Sequence, residues 1–147
     1  MSKKIVTNKK AYFEYQILEK FIAGIQLQGS EVKSIKASKT SIAEAHCFLK
    51  DGELFVKGMH VTEHKEGGRH YNHAPVRDRK LLLKRKEINK LIAKTQQKGM
   101  TIVPLEVLVT PKGLVKIQIG LAKGKNLYDK RHSIKEKDLK RESERNF

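Results

Sequence analysis

Four histidines, His60, His64, His70 and His73, come nearest to a metal-ligand set in this chain, and Glu63 and Glu66 are the only carboxylates near them. Imidazoles and carboxylates of this kind hold the ion of a metal-dependent hydrolase. His60 and His64 would share a face only on a helix, whereas the local pattern is a strand running into a loop. The simpler reading is a set of loop histidines facing phosphates or solvent. There is no Walker loop, HExxH, paired-cysteine zinc spacing or GxSxG. The sequence therefore predicts no catalytic residue, no metal, no cofactor and no small-molecule substrate.

Two other segments have a chemistry, and it is that of binding phosphates. Arg77-Asp78-Arg79-Lys80 runs directly into Leu81-Leu82-Leu83. Arg79 and Lys80 can neutralise phosphates while a leucine packs against a base or ribose. The three leucines cannot all lie on one helical stripe, so at least one of them is expected at the periphery; for Leu82 an RNA contact and a core position are evenly balanced. In Gly120-Leu121-Ala122-Lys123-Gly124-Lys125 the glycines let the backbone approach a phosphate and Lys123 and Lys125 supply charge. Tyr128 follows closely enough to stack on a base.

The charge distribution agrees with this reading. The 147 residues carry 32 Lys and Arg against 16 Asp and Glu, a net charge of +16. Residues 1–10 contribute +4, residues 77–98 contribute +7 and residues 122–147 contribute +4, while residues 11–76 are neutral. Ordinary solvated lysines would be spread evenly; a concentrated excess attracts polyanions. A membrane is the weaker partner. No apolar run approaches the roughly 20 residues that span a bilayer. Met1-Ser2-Lys3-Lys4 is followed by no signal-type apolar stretch and lacks a myristoylation glycine. The single cysteine, Cys47, reads as a small core residue of a cytosolic, cytoplasmic protein.

These segments need a scaffold. Phe13 to Leu27 reads as extended chain, with Phe21, Ala23, Ile25 and Leu27 on one face. Ser30 is expected to cap a short helix to about Ser38, with Val32 and Ile35 inward. Ile42–Lys50 and Leu54–Val61 flank Asp51-Gly52, a hairpin signature, with Ala43, Ala45, Cys47 and Leu49 on one face. Residues 62–76 read as a loop. Leu81–Lys98 reads as an amphipathic helix with Ile88, Leu91, Ile92 and Thr95 on its stripe, Lys86, Asn89, Lys90 and Lys94 away from it, and Gly99 at C′. A second hairpin turns at Thr110-Pro111-Lys112-Gly113; Val103, Leu105, Val107 and Val109 point inward, as do Val115, Ile117, Ile119 and Leu121. Pro104 suggests an edge or a strand start. The expected fold is mainly β with α: an OB-type antiparallel β-barrel with flanking helices over residues 1–128. Residues 129–147 form a basic C-terminal tail, flexible and disordered when free.

The blocks NKKAYFEYQILEKFIAGIQLQGSEVKSIKAS, RDRKLLLKRKEI and GLAKGKNLYDKR, collinear over nearly the whole chain, resemble the SsrA-binding protein family, also called small protein B. The resemblance implies an OB-type barrel that binds the tRNA-like domain of transfer-messenger RNA (tmRNA). It implies delivery of that RNA to ribosomes stalled on messages without a usable stop codon, the step called trans-translation or ribosome rescue. It further implies RNA contact at Asn8 and Leu82, with Lys9, Lys10 and Phe13 in the same first block. Ile22 stands where the family's usual glutamate does, Phe13 where a histidine is frequent, and Ala74 where an aspartate commonly precedes the proline. Asp129-Lys130-Arg131 matches the family's ribosome-linked motif, and Lys135, Lys137, Lys140 and Arg141 continue its charge. The implied role of that tail is to sense the vacant decoding centre and messenger channel of the small subunit. The family's far tail usually ends in an apolar pair and a lysine; this chain ends in Asn146-Phe147. The competing readings are a structural ribosomal protein, which would stay on subunits through a high-salt wash, and a metal-dependent nuclease using the histidines.

Overall fold

The computed structural model describes residues 2–63 and 74–125. The chain runs β1 (Lys3–Thr7), α1 (Lys9–Glu14), β2 (Tyr15–Ile25), α2 (Gly29–Lys36), β3 (Thr40–Ser41), β4 (His46–Lys50), β5 (Glu53–Lys57), β6 (His60–Val61), β7 (Arg79–Leu82), α3 (Arg85–Thr95), β8 (Met100–Val109) and β9 (Val115–Gly124). Seven strands form one antiparallel sheet in the order β1-β8-β9-β2-β7-β5-β4, and β3 pairs with β6. Strand β4 comes back against β8, so the sheet curls around a core. Among the described residues no ladder joins the edge strands β1 and β4. The expected barrel is therefore a curled antiparallel sheet with helices packed on it.

Both hairpins form as expected. Asp51 and Gly52 have φ of 52° and 75°, the paired left-handed residues that match a tight turn to strand twist. The Gly113 N–H donates to the Thr110 carbonyl at 2.8 Å, closing the turn between β8 and β9. The inner face carries Phe21, Ala23, Leu54, Val56, Leu81, Ile117, Ile119 and Leu121, packed with Ile35 from α2 and Leu91 from α3. Cys47 is buried with them.

The face assignment of β8 needs correction. Pro104 opposes Ile119 and Glu106 opposes Gln118, which leaves Leu105 as an extra, bulged residue. A bulge reverses the alternation on either side of it. Val103 and Leu105 therefore pack on the outer side with Ala11 and Ala122, while Val107 faces the inner core. Pro104 is not at an edge: β8 lies between β1 and β9, and the proline is accommodated beside the bulge, past the last β1 pair at Thr7–Glu106.

Helix boundaries also differ from expectation. Phe13 is in α1, a helix of 6 residues, too short to show a period. Helix α2 starts at Gly29 after an N-cap at Gln28, whose N–H donates to Glu31 Oε1 at 2.8 Å; Ser30 lies inside the helix. Ile42 is buried and Ala43 exposed, so the strand before the first turn begins only at His46. The third helix begins at Arg85, not Leu81, and ends at Thr95. Gly99, with φ of 83°, serves the turn into β8.

Candidate nucleic-acid interface

The outer face of the sheet has a covered part and an open part. Helix α1 covers the end where β8, β9 and β2 meet, with Ala11 seated on Val103, Leu105 and Ala122. A Cβ on Gly120 would lie 2.9 Å from Leu105 Cδ1 and 3.0 Å from Ile17 Cγ2, so the glycine lets the layers close under the helix. Asn8 fixes this helix. Its Oδ1 accepts from the Ala11 N–H at 3.2 Å, and its Nδ2 donates to the carbonyls of Pro104 at 2.9 Å and Ile42 at 3.2 Å. The side chain is 4% exposed and fully engaged. Asn8 thus ties α1 to β8 and to the segment before β4, and presents nothing to solvent. What it positions is exposed: Lys9, Lys10 and Phe13, with Lys10 in a surface pair with Glu44 at 3.4 Å.

The end of β9 joins this group. Gly124 opposes Tyr15, Lys123 opposes Gln16, and the Lys125 N–H donates to the Glu14 carbonyl at 3.1 Å. Lys123 and Gly124 are exposed and Lys125 is half-buried. The structure therefore brings the first sequence block and the basic exit together. Tyr128 lies outside the described residues, as do Asp129, Lys130, Arg131, Lys135, Lys137, Lys140 and Arg141.

Beyond α1 the outer face is open. Alternation along β2 turns Phe21 and Ala23 inward and Lys20, Ile22 and Gly24 outward. Gly24 is flanked by Leu82 on β7 and Lys116 on β9; Ile22 is flanked by Gln118. A Cβ on Gly24 would sit 3.3 Å from Leu82 Cβ and 3.7 Å from Lys116 Nζ, so leucine and ammonium lean over a shallow dip. Ile22 is 55% and Leu82 47% exposed, diagonal neighbours on one face. In the run Arg79–Leu82 the side chains alternate in, out, in, out. Leu82 is peripheral because it is at an outward strand position, not because it begins a helix. Lys80 is also outward. It opposes Phe55, which stacks on Phe48 with ring centroids 5.4 Å apart, and its Nζ lies 3.8 Å from Glu53 Oε2.

Arg79 must be withdrawn as a phosphate contact. Its guanidinium has no exposed surface; Nε donates to Glu31 Oε2 at 2.6 Å and one terminal nitrogen donates to the Met59 carbonyl at 2.7 Å. Arg77 donates to the other Glu31 oxygen at 2.5 Å. Burial alone would push the Glu31 carboxyl up. The hydrogen bonds from Arg77, the Gln28 N–H and Arg79 outweigh it and hold the carboxyl below its ordinary value. Burial draws the Arg79 guanidinium down, and Glu31 opposes that. This cluster clamps α2 to β7 and sets the register from which Lys80 and Leu82 project.

Sequence reasoning missed Lys20, Lys116, Gln118 and the Phe48–Phe55 pair. The polar positions alternating with Val115, Ile117 and Ile119 were the available signal. Of the histidine candidates only His60 is described, in β6; His64, His70 and His73 lie outside the described residues. Among the described residues no three metal-ligand side chains cluster, and no helix is long and apolar enough to cross a membrane.

Comparison with known proteins gives a consistent result. A family model described as SmpB protein matches residues 5–147. An SsrA-binding protein of Acholeplasma laidlawii is 53% identical over 145 residues, covering 98% of this chain and 96% of the relative. One from Cytophaga hutchinsonii is 49% identical over 140 residues, covering 95% and 91%. Among solved structures, a chain from "tmRNA-SmpB: a journey to the center of the bacterial ribosome" superposes with a TM-score of 0.70 at 36% identity, covering 88% of this chain and 93% of that one.

Proposed function

The chain belongs to the SmpB protein family, and from that premise we propose that it binds the tRNA-like domain of tmRNA and delivers it to stalled ribosomes in trans-translation. It acts as an RNA-binding factor, without chemistry of its own. The observation that carries this reading is the open outer face. It sets exposed Ile22 and Leu82 among Lys20, Lys80 and Lys116, and it is continuous with Lys9, Lys10 and Phe13 on α1 and with the basic end of β9.

Such a face suits a folded RNA. The ammonium groups neutralise phosphates, and the aliphatic and aromatic side chains pack on riboses and unstacked bases. Asn8 and Arg79 act from behind this surface, one by capping α1 and the other by clamping β7. We assign residues 129–147 to contact with the small-subunit decoding centre and messenger channel, on the strength of their charge and the Asp129-Lys130-Arg131 motif. A cytoplasmic location follows from a ribosomal partner.

The test is direct binding to an isolated tRNA-like domain, with a random RNA of equal length as the reference. The domain should bind more tightly, and a chain ending before Asp129 should keep that preference. Equal affinity for both RNAs would overturn the function. Loss of the preference on removing residues 129–147 would overturn the division between body and tail.

A further inference from the structure

We propose that Gln118 is the specificity-determining residue of the open face, and that its side-chain amide reads the edge of one unpaired adenine in the bound RNA. This deepens the function proposed above and rests on it. The cations of that face are Lys20, Lys80 and Lys116, and its exposed apolar side chains are Ile22 and Leu82. An ammonium only donates, and it holds the phosphates of any sequence alike. Ile22 and Leu82 offer the face of any base an apolar surface. These groups give affinity and position the strand. Base identity is read by hydrogen bonds to base edges, which need donor and acceptor together. On β9, where Ile117 and Ile119 turn inward, Gln118 turns outward with Lys116, and its amide carries both in one plane.

The register puts this amide where a base edge would fall. Gln118 stands directly opposite Ile22 on β2, so their Cβ atoms are about 5 Å apart. On its other side it opposes Glu106 of β8, which is buried and engaged by Lys4 at 3.4 Å. Gln118 itself is half-buried, and among the described residues nothing is hydrogen-bonded to its side-chain amide. Both ends of the amide are therefore open at the border of the apolar patch. A base laid on Ile22 and Leu82 turns one edge to Gln118, and Lys116, which leans over Gly24 one pair along, meets the phosphate. Adenine presents the N6 amine as donor beside the N7 acceptor, and a glutamine amide pairs with both at once. Guanine presents two acceptors there, O6 and N7, which suit a cation and leave the amide oxygen without a donor. A pyrimidine covers less of Ile22 and Leu82.

The experiment uses the full chain and the near-isosteric Gln118→Leu, with circular dichroism to verify the fold. Gln26→Leu, at an exposed amide beyond the end of β2, is the control. The affinity of Gln118→Leu for the tRNA-like domain should fall about fivefold or more, the value of one bidentate base contact. Its binding of random RNA and its salt slope should be unchanged, because no cation is removed. The base is then located by analogue interference, with purine riboside, which lacks the N6 amine, scattered in place of adenosine. Interference at one unpaired position should appear with the parent and Gln26→Leu and vanish with Gln118→Leu. Equal interference in parent and Gln118→Leu, no interference at any adenosine, or an equal loss of random-RNA binding would each overturn the proposal. Were the tRNA-like domain not preferred over random RNA at all, the function proposed above would fall. Gln118 would still be tested by oligouridines of about nine nucleotides carrying one central adenosine or purine riboside, a length that one small barrel covers. A parent preference for adenosine that Gln118→Leu loses would support its role, and no preference would overturn it.

Discussion

The Glu31 carboxylate and the Arg79 guanidinium meet at 2.6 Å, and neither side chain has any exposed surface. They are 48 residues apart in sequence. Their contact, shared with Arg77, joins the first turn of α2 to the strand that carries Leu82. A buried pair of this kind contributes little over an apolar substitute, but breaking it from one side leaves an uncompensated charge.

Glu31→Gln should therefore cost about 3–5 kcal/mol of folding stability, read by urea unfolding near neutral pH. It should also change the acid limb. The folded carboxyl is held below its ordinary value of 4.5. Its stabilisation is thus complete above 4.5 and is lost as pH falls through the lower folded value. Glu31→Gln should flatten that part of the stability–pH curve. An unchanged acid limb would show that the carboxylate is not held as described.

Asn8→Ala should destabilise the protein through the lost cap and the lost side-chain donor to the Pro104 and Ile42 carbonyls, the second of which keeps the Ala45 N–H. The expected cost is about 2 kcal/mol, measured as a fall of several degrees in Tm. RNA affinity should fall with it because α1 loosens. Wild-type stability with weakened RNA binding would instead make Asn8 a direct contact.

Ile22→Glu changes an exposed outward position, so stability should stay within about 0.5 kcal/mol. The added negative charge beside Lys20 and Lys116 should weaken binding of random RNA, by filter binding or anisotropy, and lower its salt slope. Unchanged random-RNA binding would place Ile22 outside the RNA surface.

Burial pushes the Cys47 thiol far up, which keeps it protonated and unreactive in the folded protein. Alkylation by iodoacetamide at neutral pH should follow unfolding, rising with urea along the same transition as circular dichroism. Rapid labelling without denaturant would contradict its place in the core.

Part of this molecule could be read directly from its residues. Asp51-Gly52 and Thr110-Pro111-Lys112-Gly113 announce their hairpins because turn chemistry is local. Three successive leucines announce that at least one is peripheral, but that Leu82 is the outward one follows from its place on a strand, not a helix. Helix α1 could not be read, since six residues hold no full pattern and its cap depends on carbonyls of Ile42 and Pro104. The Leu81–Leu83 run joined itself to the helical period of Ile88 and Leu91, hiding a four-residue strand that only pairing with β2 and β5 defines. The bulge at Leu105 reversed a face that simple alternation kept constant. Arg79 looked like a phosphate ligand because basic residues usually lie at the surface; only its partner Glu31 makes burial tolerable.

The most direct test of the account is the affinity of Leu82→Asp for an isolated tRNA-like domain, measured by fluorescence anisotropy with circular dichroism to verify the fold. Leu82 is half exposed at the centre of the open face, so the fold should persist and the affinity should fall roughly tenfold or more, about 1.4 kcal/mol per decade. A folded Leu82→Asp protein that binds the tRNA-like domain as tightly as the parent would contradict the claim that this face captures the RNA.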